Sequence, residues 1–332
     1  MFNFSRIYYE IGIKKYKLGK YLLDKYKDLP MSVIDNHNNI LELRQRENKD
    51  FPVMKNYLII GIRKTQKFVV NHKVSDYLVP YTSSGCSAYC LYCYLVCNYN
   101  KCSYLRLFVN REELLSKIIK KANESEKELV FEIGSNSDLL LENTITHNLE
   151  WTIVNFAKNN HGYLTFPTKF HFVDDILDLD HRGRIIVRIS VNPEEIIRRV
   201  EFKTSSLEQR IEAINKLCDH NYKVGIIIAP VIMVDGYKKM YEDLVKKLCD
   251  KLSDKVKNEV FFEVIFMTYS FVHTKINEEA FPKAINLYSK DKMTGGGRGK
   301  YYYKKSLKED GEIFIRELLN EYFPLNKILY IC

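Results

Sequence analysis

Three cysteines, Cys86, Cys90 and Cys93, follow one another at a C-x3-C-x2-C spacing. One short loop can turn three sulfurs that are this close in sequence toward a common centre, as a metal or iron–sulfur site requires. Three thiolates can hold three irons of a 4Fe–4S cluster and leave the fourth iron open, and an open coordination position is what a reacting ligand needs. The spacing therefore favours an iron–sulfur site with a free iron.

Structural zinc is the alternative interpretation of the same cysteines. A closed zinc site needs four ligands, and the fourth would come from Cys97, Cys102 or His72. The chain has 332 residues and eight cysteines, five of which lie within one short segment. A disulfide framework would distribute its pairs through a small secreted chain, so this clustering indicates metal or redox chemistry.

The elements that must position the loop are visible as apolar runs that alternate with helical stretches. The predicted strands are 77–82, 129–133, 163–168, 185–191, 224–232 and 260–266. The predicted helices between them are 111–123, 149–158, 170–177, 207–219 and 237–252. Several strand runs are apolar without alternation, as expected for parallel strands that are covered on both faces. About six βα units predict a partial barrel, with ligands at the carboxyl ends of its strands.

The chain divides into three predicted parts. Residues 1–75 form a small N-terminal α/β lobe, with a helix near 13–27 and strands at 31–34 and 57–62. Residues 76–275 form the partial barrel, whose first strand leads directly into the cysteines. Residues 276–332 form a C-terminal extension with a glycine-rich hairpin, a helix and a strand.

Hydropathy and net charge indicate the compartment and the kind of partner to expect. No run approaches the roughly 18 to 20 apolar residues of a membrane span, and the N-terminus lacks the pattern of a secretory signal, so we expect a cytoplasmic protein without a membrane partner. The formal net charge of +9 favours polyanionic partners such as nucleic acid, although a lysine-rich composition is also what a genomic bias would give.

The cysteine motif after the first barrel strand resembles the signature of radical S-adenosylmethionine enzymes, and Tyr92, just before the third cysteine, fits the same pattern. Nearly the whole chain resembles one branch of these enzymes, the spore photoproduct lyases. The matching stretches include 18–20, 61–65, 75–77, 90–95, 108–110, 131–132, 137–138, 168–170, 190–192, 229–230 and 299–301. The resemblance implies a barrel of radical S-adenosylmethionine type.

The resemblance also implies the cofactors, the reaction and the partners. The cofactors would be a 4Fe–4S cluster and S-adenosylmethionine, which together give a 5′-deoxyadenosyl radical. This radical would abstract a hydrogen from a thymine photolesion in DNA, the cross-link would break, and a cysteine would return a hydrogen to the thymine radical. The implied partners are DNA and a low-potential electron donor such as flavodoxin or ferredoxin.

Residue roles carry over from the resemblance position by position. The cluster ligands would be Cys86, Cys90 and Cys93. Tyr92 and Tyr94 match tyrosines of the radical relay. Contacts to the cofactor at the strand ends are implied for Ser137, Lys169, Ser190 and Asn192.

Two departures from the family pattern concern the substrate. Ser135 occupies the position of the hydrogen-donating cysteine, and a serine O–H bond is much stronger than a thiol S–H bond, which makes it a poor hydrogen donor. Cys97, Cys102 or a tyrosine would have to substitute. Gly295 and Gly296 occupy the hairpin positions where the family carries an arginine and an aromatic residue, with Arg298 and Tyr301 nearby.

These departures leave three functional hypotheses. The first is repair of a thymine photolesion or a related nucleic acid substrate, with phosphate contacts from Arg63, Lys64, Arg298 and Lys300. The second is a paralogue that keeps the radical chemistry for a substrate outside DNA repair. The third is a non-catalytic, metal-stabilised nucleic-acid-binding protein.

Overall fold

Short strands and helices alternate in the first third of the chain, in the computed structural model that describes residues 3–159 and 161–332. In chain order they are β1 (Arg6–Glu10), α1 (Lys17–Lys25), β2 (Met31–Ile34), α2 (Leu41–Gln45), α3 (Phe51–Met54), β3 (Tyr57–Gly61), β4 (Val69–Val70), β5 (Tyr77–Leu78), β6 (Ser83–Ser84), β7 (Tyr89–Cys90), α4 (Leu95–Tyr99) and β8 (Leu105–Phe108). Short 3-10 helices lie at Ile11–Lys15, Asn48–Asp50 and Asn100–Cys102.

Longer elements follow. They are α5 (Arg111–Asn123), β9 (Val130–Glu132), α6 (Leu139–Thr146), α7 (Asn148–Ala157), β10 (Tyr163–Thr168), β11 (Ile185–Val191), α8 (Glu194–Val200), β12 (Glu201–Phe202), α9 (Leu207–Asp219), β13 (Lys223–Val231), α10 (Tyr237–Lys251), α11 (Asp254–Glu259), β14 (Phe261–Phe266), β15 (Tyr269–Ser270), α12 (Phe271–Ala280), β16 (Met293–Gly295), β17 (Lys300–Tyr303), α13 (Lys305–Tyr322) and β18 (Lys327–Ile331). No helix among the described residues is long and apolar enough to cross a membrane.

A five-stranded sheet in the order β2-β1-β3-β8-β6 forms the centre of the N-terminal part. Its central strand β3 is buried along its whole length. The predicted strands 31–34 and 57–62 are confirmed, whereas β1 and β8 were not predicted. Because β6 and β8 stand on either side of the cysteines in sequence, this sheet holds both ends of the segment that carries them.

The barrel is an eight-stranded sheet in the order β18-β14-β13-β11-β10-β9-β5-β4. All neighbouring strands are parallel except β4 and β5. Lys73, in the loop between β4 and β5, reaches the opposite edge, where its Nζ lies 2.9 Å from Cys332 Sγ and 4.7 Å from the centre of the Tyr330 ring. The sheet is therefore curled into a partial barrel, as the sequence predicted, and all six predicted barrel strands contribute to it.

The helix predicted over residues 170–177 is wrong. The segment contains a short 3-10 helix, Asp174–Ile176, instead. Side-chain hydroxyl groups accept hydrogen bonds from the backbone N–H groups at the start of the segment. The Phe170 N–H donates to Thr168 Oγ1 at 3.0 Å, and the His171 N–H donates to Ser205 Oγ at 3.0 Å. Such local bonds compete with helix formation, and an apolar periodicity does not reveal them.

A buried ion network crosses the barrel interior below the carboxyl ends of the strands. Arg188 on β11 donates to Glu263 at 2.9 Å and to Glu132 on β9. Its Nε donates to Thr165 Oγ1 at 3.0 Å, and the Tyr330 hydroxyl donates to Glu263 at 2.6 Å. Burial raises the pKa of Glu132 although Arg188 lies beside it. The network links five strands of the sheet, β9, β10, β11, β14 and β18.

We expect Arg188→Met to lower the free energy of unfolding by about 3–5 kcal/mol, because the substitution leaves two buried carboxyl groups without their cation. Urea denaturation at neutral pH measures the change. The control is Arg199→Met, which removes the exposed pair with Glu195 and should cost less than about 1 kcal/mol. Equal losses in the two variants would contradict the assignment of the network as a structural element.

Candidate active site

The cysteine loop is attached to both sheets through its backbone. The Gly85 N–H donates to the Asn136 carbonyl at 2.8 Å, and the Cys86 N–H donates to the Ser103 carbonyl at 3.2 Å. Further along, Cys90 pairs with Glu201 in the two-stranded sheet of β7 and β12. The loop is therefore held at several points between the N-terminal sheet and the barrel.

Just before the first cysteine, the backbone at Gly85 lies so close to the backbone of Tyr104 that only glycine fits. Its φ is +78°, in the left-handed region, and a Cβ at this position would lie 1.9 Å from the Tyr104 carbonyl oxygen. Since the obstacle is backbone, no side-chain rearrangement could relieve the clash.

A cavity of about 320 Å³ opens where the loop meets the carboxyl ends of the barrel strands. Nine of the ten site residues predicted from the sequence line it: Cys86, Cys90, Tyr92, Cys93, Tyr94, Ser135, Ser137, Lys169 and Ser190. The structure thus brings the predicted metal ligands, tyrosines and strand-end polar groups to one place. The tenth, Asn192, does not line the cavity.

The spacing of the three cysteine sulfurs suits a cluster better than a single ion. The sulfurs do not all lie within 4.8 Å of one another. One tetrahedral zinc with Zn–S bonds of about 2.3 Å would hold its sulfurs about 3.8 Å apart. In an iron–sulfur cluster each thiolate binds a different iron, so a wider spacing is expected. The donor set therefore fits a 4Fe–4S cluster, which Cys86, Cys90 and Cys93 would hold.

Burial determines the protonation state of the free cysteines. Burial raises the pKa of Cys86 to about 12 and that of Cys90 well above its ordinary value. These thiols are protonated near neutral pH when no metal is bound. Because metal ligation requires thiolates, assembly of a cluster must release their protons.

Glu201 connects the loop to the barrel from behind the cavity. It accepts a hydrogen bond from the Tyr92 hydroxyl and another from Arg210 Nη2 at 2.7 Å. Burial would raise the pKa of Glu201, but Arg210 and Lys169 hold it below the usual value. Sequence reasoning missed Glu201 and Arg210, which belong to no motif and show their role only through these contacts.

Asn192 is fully buried behind the cavity wall. Its Nδ2 donates to Glu201 Oε1 at 2.9 Å and to the Ala229 carbonyl at 3.2 Å, while its Oδ1 accepts from the Tyr241 hydroxyl at 3.0 Å. These contacts use both ends of the amide, so in this arrangement Asn192 supports the wall.

Lys169 presents a positive charge on the cavity wall. Its Nζ donates to Ser190 Oγ at 2.7 Å and to the Ala229 carbonyl at 3.2 Å, and its backbone N–H donates to Asp138 at 2.9 Å. No carboxylate of the described residues forms an ion pair with its ammonium group. An anionic ligand in the cavity can therefore pair with it.

Neither thiol suggested as a substitute hydrogen donor lines the cavity. Cys97 is exposed, with its Sγ 3.3 Å from Ser270 Oγ and 3.8 Å from His273 Nε2. Cys102 is buried in the hydrophobic core of the N-terminal sheet. Ser135 itself is half-buried in the cavity wall.

The cations predicted to contact phosphates differ in their exposure. Arg298 and Lys300 are exposed on the hairpin of β16 and β17, and Lys64 is exposed as well. Arg63 is half-buried, and its guanidinium already has partners within the protein. Its Nε donates to the Tyr81 carbonyl at 2.7 Å, and its guanidinium lies 3.9 Å from the centre of the Phe108 ring.

A second recess, of about 540 Å³, lies on another side of the cysteine loop. Its wall contains Lys55, Ser87 and Lys203, and it shares Phe170 and Thr204 with the cavity. Ser87 is the neighbour of the first cysteine in sequence. The loop is thus bordered by two separate openings.

Comparisons with known proteins identify the family of the chain. A family model described as spore photoproduct lyase matches residues 2–332. The spore photoproduct lyase of Bacillus subtilis (strain 168) is 33% identical over 336 residues, covering 98% of this chain and 97% of the relative. That of Clostridium acetobutylicum is 31% identical over 343 residues, covering 99% and 98%.

Solved structures show the same fold. A doubly substituted spore photoproduct lyase with bound S-adenosylmethionine and dinucleoside spore photoproduct matches with a TM-score of 0.92 and 27% identity, over 100% of this chain and 99% of the other. A spore photoproduct lyase complexed with the dinucleoside alone matches equally well. The predicted barrel type is confirmed.

We expect Gly85→Ala to lose most of the iron that the unsubstituted chain binds after anaerobic reconstitution, because the added Cβ must displace the backbone beside Cys86. Iron and sulfide analysis measures the loss. The matched control is Gly183→Ala, where φ is +66° but no atom lies within 4 Å of the added Cβ. Both variants carry the backbone strain of a left-handed alanine. Full iron binding by Gly85→Ala would refute the steric argument.

Proposed function

Because the chain belongs to the spore photoproduct lyase family, we propose that its cavity repairs spore photoproduct, the thymine lesion held as a dinucleoside in the solved relatives. The chain is a radical S-adenosylmethionine enzyme with lyase activity, and its cofactors are a 4Fe–4S cluster and S-adenosylmethionine. The observation that carries the proposal is the set of three cysteines that open onto a cavity together with Lys169, whose ammonium group forms no ion pair with a carboxylate of the described residues.

Each group in the cavity has a proposed task. Cys86, Cys90 and Cys93 hold the cluster, and Lys169 pairs with the carboxylate at the amino acid end of the cofactor. When bound, the cluster and cofactor together supply the 5′-deoxyadenosyl radical that abstracts a hydrogen from the lesion. Ser137 and Ser190 offer hydroxyl groups at the strand ends for further polar contacts.

The two tyrosines of the loop have different surroundings. Burial raises the pKa of Tyr92 well above its ordinary value, so its phenol stays protonated and keeps its hydrogen bond to Glu201. Tyr94 lines the cavity and is 51% exposed, so a substrate in the cavity can contact it. We assign Tyr94 to the substrate side and Tyr92 to the cofactor side of the radical relay.

Two further partners are proposed, the DNA that carries the lesion and an electron donor. Arg298 and Lys300 on the exposed hairpin contact DNA phosphates, which position a duplex without reading its sequence. A low-potential electron donor such as flavodoxin or ferredoxin reduces the cluster, since the radical requires one electron from outside the chain.

Ser135 favours a second candidate function, radical chemistry on a substrate outside DNA repair. In this candidate the cavity keeps its cluster and cofactor contacts, while the missing thiol reflects another way of ending the reaction. Neither Cys97 nor Cys102 lines the cavity, so in this arrangement neither thiol takes the place of the missing cysteine.

Anaerobically reconstituted protein should cleave S-adenosylmethionine under dithionite and convert dinucleoside spore photoproduct to thymines. Cys93→Ala should abolish both reactions, because one iron loses its thiolate. The control is Cys97→Ala, which removes a thiol of α4 that does not line the cavity and should retain the cluster. Cofactor cleavage without repair would support the second candidate, and a colourless protein with stoichiometric zinc would refute both.

Lys169→Met should weaken S-adenosylmethionine binding by about 10- to 100-fold, since a charge-assisted hydrogen bond contributes roughly 1.5–3 kcal/mol. Equilibrium dialysis against the reconstituted enzyme measures the dissociation constant. The control is Lys223→Met, an exposed lysine at the first residue of β13, far along the strand from the cavity. Unchanged affinity in Lys169→Met would remove Lys169 from the binding site.

A further inference from the structure

Lys55 is a buried lysine directly beneath the cysteine loop. It follows α3, and its side chain is 1% exposed. Its Nζ donates to the carbonyl oxygen of Cys86 at 2.7 Å and to that of Ser103 at 2.9 Å. The two bonds place the ammonium group against the backbone of Cys86, which is a proposed cluster ligand.

Among the described residues, Lys55 lacks an acidic partner, as does the buried Arg106, whereas the buried arginines that hold the barrel have one. Arg188 pairs with Glu132 and Glu263, and Arg210 pairs with Glu201. No carboxylate of the described residues forms an ion pair with Lys55. Carbonyl oxygens accept hydrogen bonds from two of its three N–H groups but leave its charge uncompensated, and a buried uncompensated charge is costly.

The proposed cluster ligands provide the missing negative charge. Lys55 holds the backbone carbonyl of Cys86, so its ammonium group lies beside the loop that carries these ligands. Three thiolates make a bound 4Fe–4S cluster anionic, and reduction adds a further negative charge. A fixed positive charge nearby stabilises the reduced form more than the oxidised form.

We propose that Lys55 is a positioning residue that holds the Cys86 end of the loop and raises the reduction potential of the cluster, which makes the electron transfer that starts the reaction more favourable. The inference rests on the cluster assigned in the proposed function. It extends that function to a residue of the N-terminal lobe, 31 positions before the first cysteine.

The test is a potentiometric titration of the reconstituted cluster, followed by the electron paramagnetic resonance signal of its reduced form. Lys55→Met keeps the length of the side chain and removes its charge. At a fixed potential we expect the ratio of reduced to oxidised cluster to fall about tenfold, which corresponds to about 59 mV for a one-electron couple. Lys55→Arg keeps the charge and should restore most of the ratio.

Lys203→Met is the control, because Lys203 is an exposed lysine in the neighbouring recess whose charge is screened by water. It should leave the potential unchanged. If Lys55→Met binds too little iron, Lys55→Gln, which keeps an N–H donor without the charge, replaces it in the titration.

Three outcomes would overturn the proposal. One is a charge-free variant with full iron content and an unchanged potential. Another is an equal shift in the Lys203 control. The third is a loss of iron in Lys55→Met and Lys55→Gln that also occurs in Lys55→Arg. This result would assign Lys55 a purely structural role. The titration uses no lesion, so a failure to convert spore photoproduct would not alter its result, and an absence of iron from the unsubstituted protein would refute the cluster itself.

Discussion

The attachment of one loop to two sheets is the constraint on which the rest of the site depends. Gly85 is held against the Tyr104 backbone on the side of the N-terminal sheet, and Cys90 pairs with Glu201 on the side of the barrel. Neither sheet alone fixes all three cysteines. The N-terminal lobe is therefore part of the site, and the direction in which the sulfurs face follows from the packing of two separate sheets.

Sequence reasoning succeeded where the signal was local. The strands β10 and β11 and the helices α5 and α9 have the predicted bounds, because an apolar run or a helical period defines each of them. The helix over 170–177 failed because side chains of Thr168 and Ser205 take its N–H groups. Lys55, Glu201 and Arg210 were not predicted, since their roles depend on partners brought near by the fold. The cysteine motif was sufficient to find the cavity but not these supports.

The buried cations described above fall into two groups, those with a carboxylate partner and those without one. Inside the barrel, Arg188 and Arg210 have carboxylate partners, so their contribution is largely to hold strands and loop in register. At the cavity and below the loop, Lys169 and Lys55 have hydroxyl or carbonyl acceptors and no carboxylate. Of these four cations, the two with carboxylate partners hold elements of the barrel, and the two without lie where an anionic group is expected to bind.

The two openings beside the cysteine loop bear on the order of events in a catalytic cycle. The cavity lies at the carboxyl ends of the barrel strands, while the recess with Ser87 and Lys203 approaches the loop from elsewhere. A molecule that fills the cavity would therefore leave the other side of the loop open. The loop can be reached while the cavity is occupied, so filling the cavity and reaching the cysteines need not follow a fixed order.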